Sequence, residues 1–360
     1  MTADTPTGRR AEQTGPAGFV PVERRPSPSR VAHRTAVLVW LLAWGVATAA
    51  AATAVVDVDD VPTWVAGWGG GALAWLYTVA LAHRVGARTT LWGAVSLLAI
   101  VGALVTERSW ALSAVSVLAA VVAGVAAVLL TRPAATALGS LFEFGVALVV
   151  SAAGAVSVAG LNASVRTERY PLVVVCLALA LAIALVWQLG AGLHGGSRRE
   201  LAIVVGAALV LAGLLIYSQV LRAYGSEAVL DGVDDTVGWL QDHLHGVPRP
   251  AEALIGFPAL VWGIGTRGTR RQRWWICAFG VLGTATLASS LAGQRLDPEY
   301  AALSAAYSAL IGAVLGLLVR RIDLVVTGRR ERDRAAGRRV LRTDEVVVLR
   351  PEPGRTQPLW

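Results

Sequence analysis

Apolar residues fill ten long segments of the chain, and short polar stretches separate them. Each segment is about long enough to cross a hydrocarbon layer of roughly 30 Å as an α-helix that rises about 1.5 Å per residue. The pattern therefore predicts an all-α, polytopic integral membrane helix bundle of about ten transmembrane helices. The predicted spans are residues 35–56, 63–81, 90–105, 110–130, 144–161, 171–189, 201–220, 253–265, 274–291 and 300–319.

The same pattern divides the chain into three regions. Residues 1–34 are polar and rich in Pro and Arg, and their lack of apolar periodicity predicts a disordered cytoplasmic tail. Residues 35–319 form the bundle, and residues 320–360 form a second, Arg-rich cytoplasmic tail. The longest outer connection has apolar residues at helical spacing, which predicts an amphipathic helix at about 226–247 on the outer membrane surface.

The distribution of arginine predicts the orientation of the bundle. With the N-terminus inside, the cytoplasmic pieces hold 26 of the 32 basic residues, and the outer connections hold 6. Because basic flanks resist translocation, this split favours both termini in the cytoplasm and an even number of spans. The expected location is the inner (plasma) membrane of a bacterium, since an arginine-only, alanine-rich composition is typical of a GC-rich bacterial genome.

Two features of the topology stay open at this stage. The third span is marginal and the eighth is short, so a count of eight or nine remains an alternative. The first span also follows a basic region and contains small residues, as a cleaved signal peptide does. Its apolar length of about 22 residues exceeds the roughly 7 to 15 of a signal core, which favours a retained helix.

Composition limits the function classes. The chain is 55% apolar and only 16% charged, which excludes a soluble domain of this length. The net charge of +8 lies mainly beside the spans, so the expected partners are the lipid bilayer and its anionic head groups at the cytoplasmic arginine clusters, not nucleic acid. The sequence contains no phosphate-binding Walker loop, nucleophile elbow or Cys-x-x-Cys pair, and we expect neither a metal nor a cofactor.

Glu143 is the candidate intramembrane acid. It would lie inside the membrane if the fifth helix began at Pro133, and a carboxylate there could titrate with a transported cation or proton. The alternative is a span that starts at Phe144, which is long enough without Glu143 and leaves the acid at the cytoplasmic interface.

A row of small residues marks the last span. Ser304, Ser308, Gly312 and Gly316 recur every four residues, so they share one helix face and let a neighbouring backbone approach closely. Tight packing within the bundle is the simplest interpretation. A contact with a membrane-protein partner or a second copy, in a homo-oligomer, is the alternative.

Two spans carry residues that break helices. These are Gly69, Gly70 and Gly71 in the second span and Pro258 in the eighth. Interrupted helices can expose backbone groups to a bound ion, but the two positions are not equivalent in a five-plus-five repeat. A local kink covered by neighbouring helices is therefore the expected outcome.

The outer connection holds a weak cation-site candidate. Asp231, Asp235, Asp242 and His245 could align on one face of the predicted amphipathic helix. A solvated acidic face is the commoner use of such a pattern.

These observations leave three function classes. The first is a non-catalytic membrane scaffold or cell-envelope assembly partner. The second is a transporter of a small solute or a lipid, and the third is a membrane-embedded enzyme. The enzyme is disfavoured because a catalytic site needs several convergent polar groups, and the spans carry almost none.

Overall fold

The computed structural model describes residues 30–56, 61–166, 169–188, 232, 235, 238–239, 241–267, 274–293, 298–337 and 354–359. Within these residues the chain is helical and contains no β-strand. The helices are α1 (Arg30–Ala52), α2 (Thr63–Arg84), α3 (Thr89–Thr106), α4 (Ser109–Leu129), α5 (Ala137–Gly160), α6 (Tyr170–Gln188), the π-helical turn π1 (Ala251–Gly256), α7 (Phe257–Arg267), α8 (Trp274–Ala288) and α9 (Pro298–Gly337).

Six of these helices, α1 to α5 and α9, are long and apolar enough to cross a membrane. α6 and α8 are apolar but shorter, over Tyr170–Val186 and Ile276–Ala288. The predicted seventh span, residues 201–220, lies outside the described residues. The described part of the chain therefore confirms an all-helical protein of membrane type but does not reach the expected count of ten.

Contacts divide the chain into two units, Met1–Val39 and Trp40–Trp360. The described part of the first unit, from Arg30, is helical. The second unit holds all the other helices, and α4 is central to it, because α4 packs against α2, α3, α5, α6 and α8.

Small residues bring the neighbours of α4 close. Ala119, Ala123 and Ala127, spaced four residues apart, are fully buried. A Cβ added at Gly124 would lie only 2.8 Å from the Cα atom of Ala285 in α8. Because such contacts leave no room for a larger side chain, the helices around α4 fill the interior themselves.

The glycine run at 69–71 does not interrupt α2, which stays helical from Thr63 to Arg84. The interrupted helix that was the alternative to a local kink does not occur there. A Cβ at Gly70 would lie 2.5 Å from the carbonyl oxygen of Ser157 in α5, and the Ser157 hydroxyl donates to the Gly70 carbonyl at 2.7 Å. The glycines therefore serve close helix packing.

The irregularity near Pro258 is the π-helical turn π1, which ends one residue before α7 begins at Phe257 and two before Pro258. Proline has no N–H to donate to the residue four positions earlier, and its ring needs space beside that turn. A wider turn meets both demands without ending the helix.

The first residue of α5 decides where Glu143 lies. α5 begins at Ala137, and the Thr136 side chain caps it by accepting a hydrogen bond from the Gly139 N–H at 3.0 Å. The helix therefore does not begin at Pro133, and it includes six residues before Glu143. Glu143 lies in the second turn of α5, close to one end of the bundle.

Two names describe the ends of the bundle from here on. The arginine end is where α2 ends at Arg84, α4 ends at Leu129 and α7 ends at Arg267. The opposite end is where α2 begins at Thr63 and α5 ends at Gly160.

Candidate functional site

Two arginines at the arginine end donate hydrogen bonds to the carboxyl end of α4. Arg84 Nε donates to the Leu129 carbonyl at 3.0 Å, and Arg267 Nη2 donates to the Thr131 carbonyl at 2.6 Å. The last carbonyl groups of a helix lack partners within the helix and carry partial negative charge. They therefore compensate two guanidinium groups that are almost completely buried.

A third buried arginine, Arg320 of α9, donates to the carbonyl of Ala135 in the loop between α4 and α5. Arg267 also stacks on the Trp274 ring, with 4.0 Å between the guanidinium carbon and the ring centroid. Arginines from three different helices thus fix the end of α4 and the short loop that follows it. Charge-assisted hydrogen bonds are about twice as strong as neutral ones, so this loop should be rigid.

Glu143 belongs to the same end. Its side chain accepts a hydrogen bond from the Arg132 backbone N–H at 2.9 Å, and Arg355 Nη2 lies 2.7 Å and 2.8 Å from the two carboxyl oxygens. Glu143 is 8% exposed. The sequence argument weighed Glu143 without a basic partner, whereas the structure pairs it with an arginine 212 positions away.

Arg355 lies in a short C-terminal segment, Gly354–Leu359, which folds back onto the arginine end. The segment forms a turn in which the Gln357 N–H donates to the Gly354 carbonyl at 3.0 Å, and the Gln357 side chain accepts from the Gly354 N–H at 3.1 Å. Because the turn satisfies its own ends, its carbonyl groups are presented to the bundle in a defined arrangement.

Arg84 binds this turn through both its side chain and its backbone carbonyl. Its Nη1 donates to the carbonyls of Gly354 and Gln357 at 2.7 Å each, and its own carbonyl accepts from the Leu359 N–H at 3.0 Å. One side chain, 1% exposed, therefore joins α2, the end of α4 and the C-terminal segment. We call Arg84, Arg132 and Glu143, together with the neighbouring His83, the tail-docking site.

Sequence analysis missed most of this site. Arg84, Arg267 and Arg320 entered it only as basic residues beside spans, where water or lipid head groups are the usual environment. Their position in the last turns of apolar helices was a signal that could have suggested carbonyl partners. No local pattern connects Arg355 with Glu143.

A second polar cluster lies at the opposite end, at π1. Glu252 is fully buried, and Arg249 Nη1 donates to its Oε1 at 3.1 Å. The Ser308 hydroxyl also faces this carboxyl group, whose Oε2 has no hydrogen bond of good geometry within the described residues. In the sequence this acid precedes the eighth predicted span by one residue, and it was not among the predicted site residues. Its three-residue spacing from Arg249, across Pro250, was the available signal.

The small-residue row of α9 supports this cluster. Ser304 and Ser308 accept hydrogen bonds from the N–H groups of Val247 and Arg249, at 3.1 Å and 2.8 Å. Further along, a Cβ at Gly312 would overlap Phe257, and a Cβ at Gly316 would lie 2.7 Å from that of Val261. The row therefore lies against one continuous segment, residues 247–261, of the same chain.

The cation-site candidates lie on a segment that is described only in part. Asp235, Asp242 and His245 are exposed, and Asp231 lies outside the described residues. No three His, Cys, Asp or Glu side chains in the described ranges are grouped closely enough to hold a metal ion. The predicted amphipathic helix is helical where it is described, up to Leu244.

The opposite end also contains a cavity of about 390 Å3. It is bordered by the end of α1, the start of α2, the end of α5 and the start of α9. Thr53, Thr63 and Asn162 contribute its polar side chains, and the described lining residues carry no charge. Such a surface could hold a neutral polar group by hydrogen bonds.

The geometry gives an uneven distribution of charge. Among the described residues, the arginine end buries Arg84, Arg267 and Arg320 and holds the ion pair of Glu143 with Arg355, whereas the opposite end buries one carboxylate beside one arginine. No family model, no curated protein and no solved structure matches the chain.

Proposed function

We propose that the protein is a non-catalytic scaffold or assembly partner in the inner membrane of a bacterium. The observation that supports this most is the packed interior around α4, where fully buried alanines and glycines bring helix backbones into direct contact. A solute pathway needs a cavity near the centre of the bundle, and close-packed small residues leave little volume for one.

We further propose ten spans with both termini in the cytoplasm. The 26 to 6 distribution of arginine supports this orientation, and in it the arginine end faces the cytoplasm. Exposed arginines at that end, such as Arg88 and Arg321, would then face anionic lipid head groups.

Reporter fusions test the orientation. Fusions after Arg88 and Arg199 should be active in the cytoplasm, and fusions after Asp60 and Asp235 should be active on the outer side. A cytoplasmic result at Asp235 would contradict the orientation of the second half of the chain.

Water access to the interior tests the scaffold proposal. Ser151 is fully buried in the middle of α5, and Ser151→Cys changes only one atom. In a Cys176→Ala background, a membrane-impermeant thiol reagent should leave position 151 unlabelled from either side of the membrane. Leu138→Cys, which replaces a side chain that is 79% exposed, is the positive control.

A small-solute or lipid transporter is the second candidate, because the opposite end combines an open cavity with a buried acid, Glu252. A transporter alternates access to its centre, so the thiol reagent would label Ser151→Cys from at least one side of the membrane. Labelling there, with Leu138→Cys behaving as expected, would favour transport over the scaffold.

A further inference from the structure

We propose that the tail-docking site is an exchangeable peptide-binding site, whose resident ligand is the chain's own C-terminal segment, Gly354–Leu359. The ligand class is a short turn-forming peptide with one arginine. This proposal does not depend on the scaffold function, because a transporter could carry the same site.

Two recognition elements act on different parts of the peptide. Glu143 pairs with the arginine side chain, through both carboxyl oxygens at 2.7 Å and 2.8 Å. Arg84 binds two backbone carbonyls and one backbone N–H, as a main-chain clamp does. Only the first element selects a side chain, so specificity should depend mainly on Arg355.

The peptide also fits by shape and by contact with the neighbouring residues. A Cβ added at Gly354 would lie 3.3 Å from Arg132 Nη2, so a larger residue there would crowd that side chain. Leu359 packs against the hydrophobic core, and His83 Nε2 lies 3.1 Å from the Thr356 carbonyl oxygen. Five of the six residues in the segment therefore contribute a specific contact.

The site is prepared independently of the peptide. Arg84 is also fixed by the Leu129 carbonyl, and Glu143 also accepts from the Arg132 N–H. A binding site whose groups are held by the scaffold loses little entropy when a ligand arrives. Release of the segment would leave Glu143 bound to the Arg132 N–H and Arg84 bound to the Leu129 carbonyl, so both groups could accept the same peptide again.

Water reaches the ion pair between Arg355 and Glu143, which lowers the energetic cost of exchange. The Arg355 side chain is 27% exposed, and Gln357 and Pro358 are exposed. Partly exposed ion pairs are screened by salt, unlike fully buried ones. We expect opening to become more frequent as the salt concentration rises.

The test uses the full chain with a thiol reporter in the segment. Leu359→Cys, in a Cys176→Ala background, should react with an impermeant maleimide at least ten-fold more slowly than a free peptide of residues 351–360 carrying the same cysteine. Adding Glu143→Gln should raise the rate about ten-fold, since a charge-assisted hydrogen bond is then lost. Glu107→Gln, an exposed acid between α3 and α4, is the matched control and should change nothing.

Competition then tests exchange. Excess free peptide 351–360 without cysteine should accelerate labelling of the full chain several-fold, and the same peptide with Arg355→Ala should not. If Glu143→Gln accelerates labelling but the free peptide does not, the segment is a fixed clasp and the proposed exchange is overturned. The docking itself is overturned if the cysteine of the full chain reacts as fast as the same cysteine in the free peptide, both with Leu359→Cys and with Thr356→Cys as the reporter.

Discussion

The two ends of the bundle bury charge in opposite ways. At the arginine end most of the buried charged groups are cations, and Arg84 and Arg267 donate to carbonyls at and just after the carboxyl end of α4. At the opposite end the buried group is an acid, Glu252, in the π-helical turn that leads into α7. Both arrangements match the partial charge at the nearest helix end, negative at carboxyl ends and positive at amino ends. A buried charge is tolerated where backbone dipoles already favour its sign.

The ends differ in how far apart along the chain the partners are. Glu252 pairs with Arg249, three positions earlier, so folding of one turn brings them together. Glu143 pairs with Arg355, 212 positions later, and needs the whole bundle and the C-terminal segment in place. The opposite end should therefore depend on packing of the segment 247–261, and the arginine end on long-range hydrogen bonds.

Gly312→Leu should have the largest effect, because it removes the packing on which the opposite end depends. A Cβ at position 312 already overlaps Phe257, so a leucine must displace α7 from α9. We expect loss of most of the folded protein, measured as the monodisperse fraction in detergent. Gly102→Leu is the matched control, since no atom lies within 4 Å of a Cβ there. Equal yields for the two variants would mean that α9 does not hold this segment.

Arg84→Ala should have the second largest effect and should act on the arginine end alone. The buried Leu129 carbonyl would lose its donor at a cost of about 1 to 3 kcal/mol, and the carbonyls of Gly354 and Gln357 would each lose a charge-assisted hydrogen bond. We expect a destabilisation of about 3 kcal/mol, measured by thermal unfolding in detergent. Arg88→Ala removes an exposed arginine four positions later and should cost about 0.5 kcal/mol or less. A similar loss in both variants would show that net charge, not the buried contacts, is what matters.

The sequence predicted the parts of this arrangement that depend on local pattern. Apolar runs located the helices to within a few residues at most ends, and the same runs predicted an all-helical protein. Of the two alternatives for α5, the start at Pro133 was wrong because a Thr136 cap competes with the preference of proline for a first helical position. The packing contacts of the α2 glycines were not predicted, because one sequence does not distinguish a glycine that bends a helix from a glycine that lets another helix approach.

The candidate site was less predictable, for a physical reason. Contacts such as Arg84 with Gly354 join residues 270 positions apart, and backbone carbonyls carry no side-chain signature in the sequence. Periodicity reports which face of a helix is buried. It does not report which distant loop supplies a hydrogen-bond partner.

Of the three substitutions, Glu252→Gln should have the smallest effect on stability. It tests whether the ion pair of Glu252 with Arg249 contributes less stability than the contacts of Arg84. Glutamine keeps the shape and can still accept a hydrogen bond from Arg249, so only the charge is lost. The Arg249 side chain is 25% exposed and can gain water in return. A buried acid is also costly to desolvate, which offsets part of the attraction between the two groups.

We therefore expect Glu252→Gln to change stability by about 1 kcal/mol or less, in the same thermal assay and with Glu107→Gln as the control. Combining Glu252→Gln with Arg84→Ala should give the sum of the two effects, because groups at opposite ends share no partner. A loss from Glu252→Gln as large as that from Arg84→Ala would reverse the ranking of the two ends. It would also show that the charge of Glu252, and not only the packing of residues 247–261 on α9, holds π1 in place.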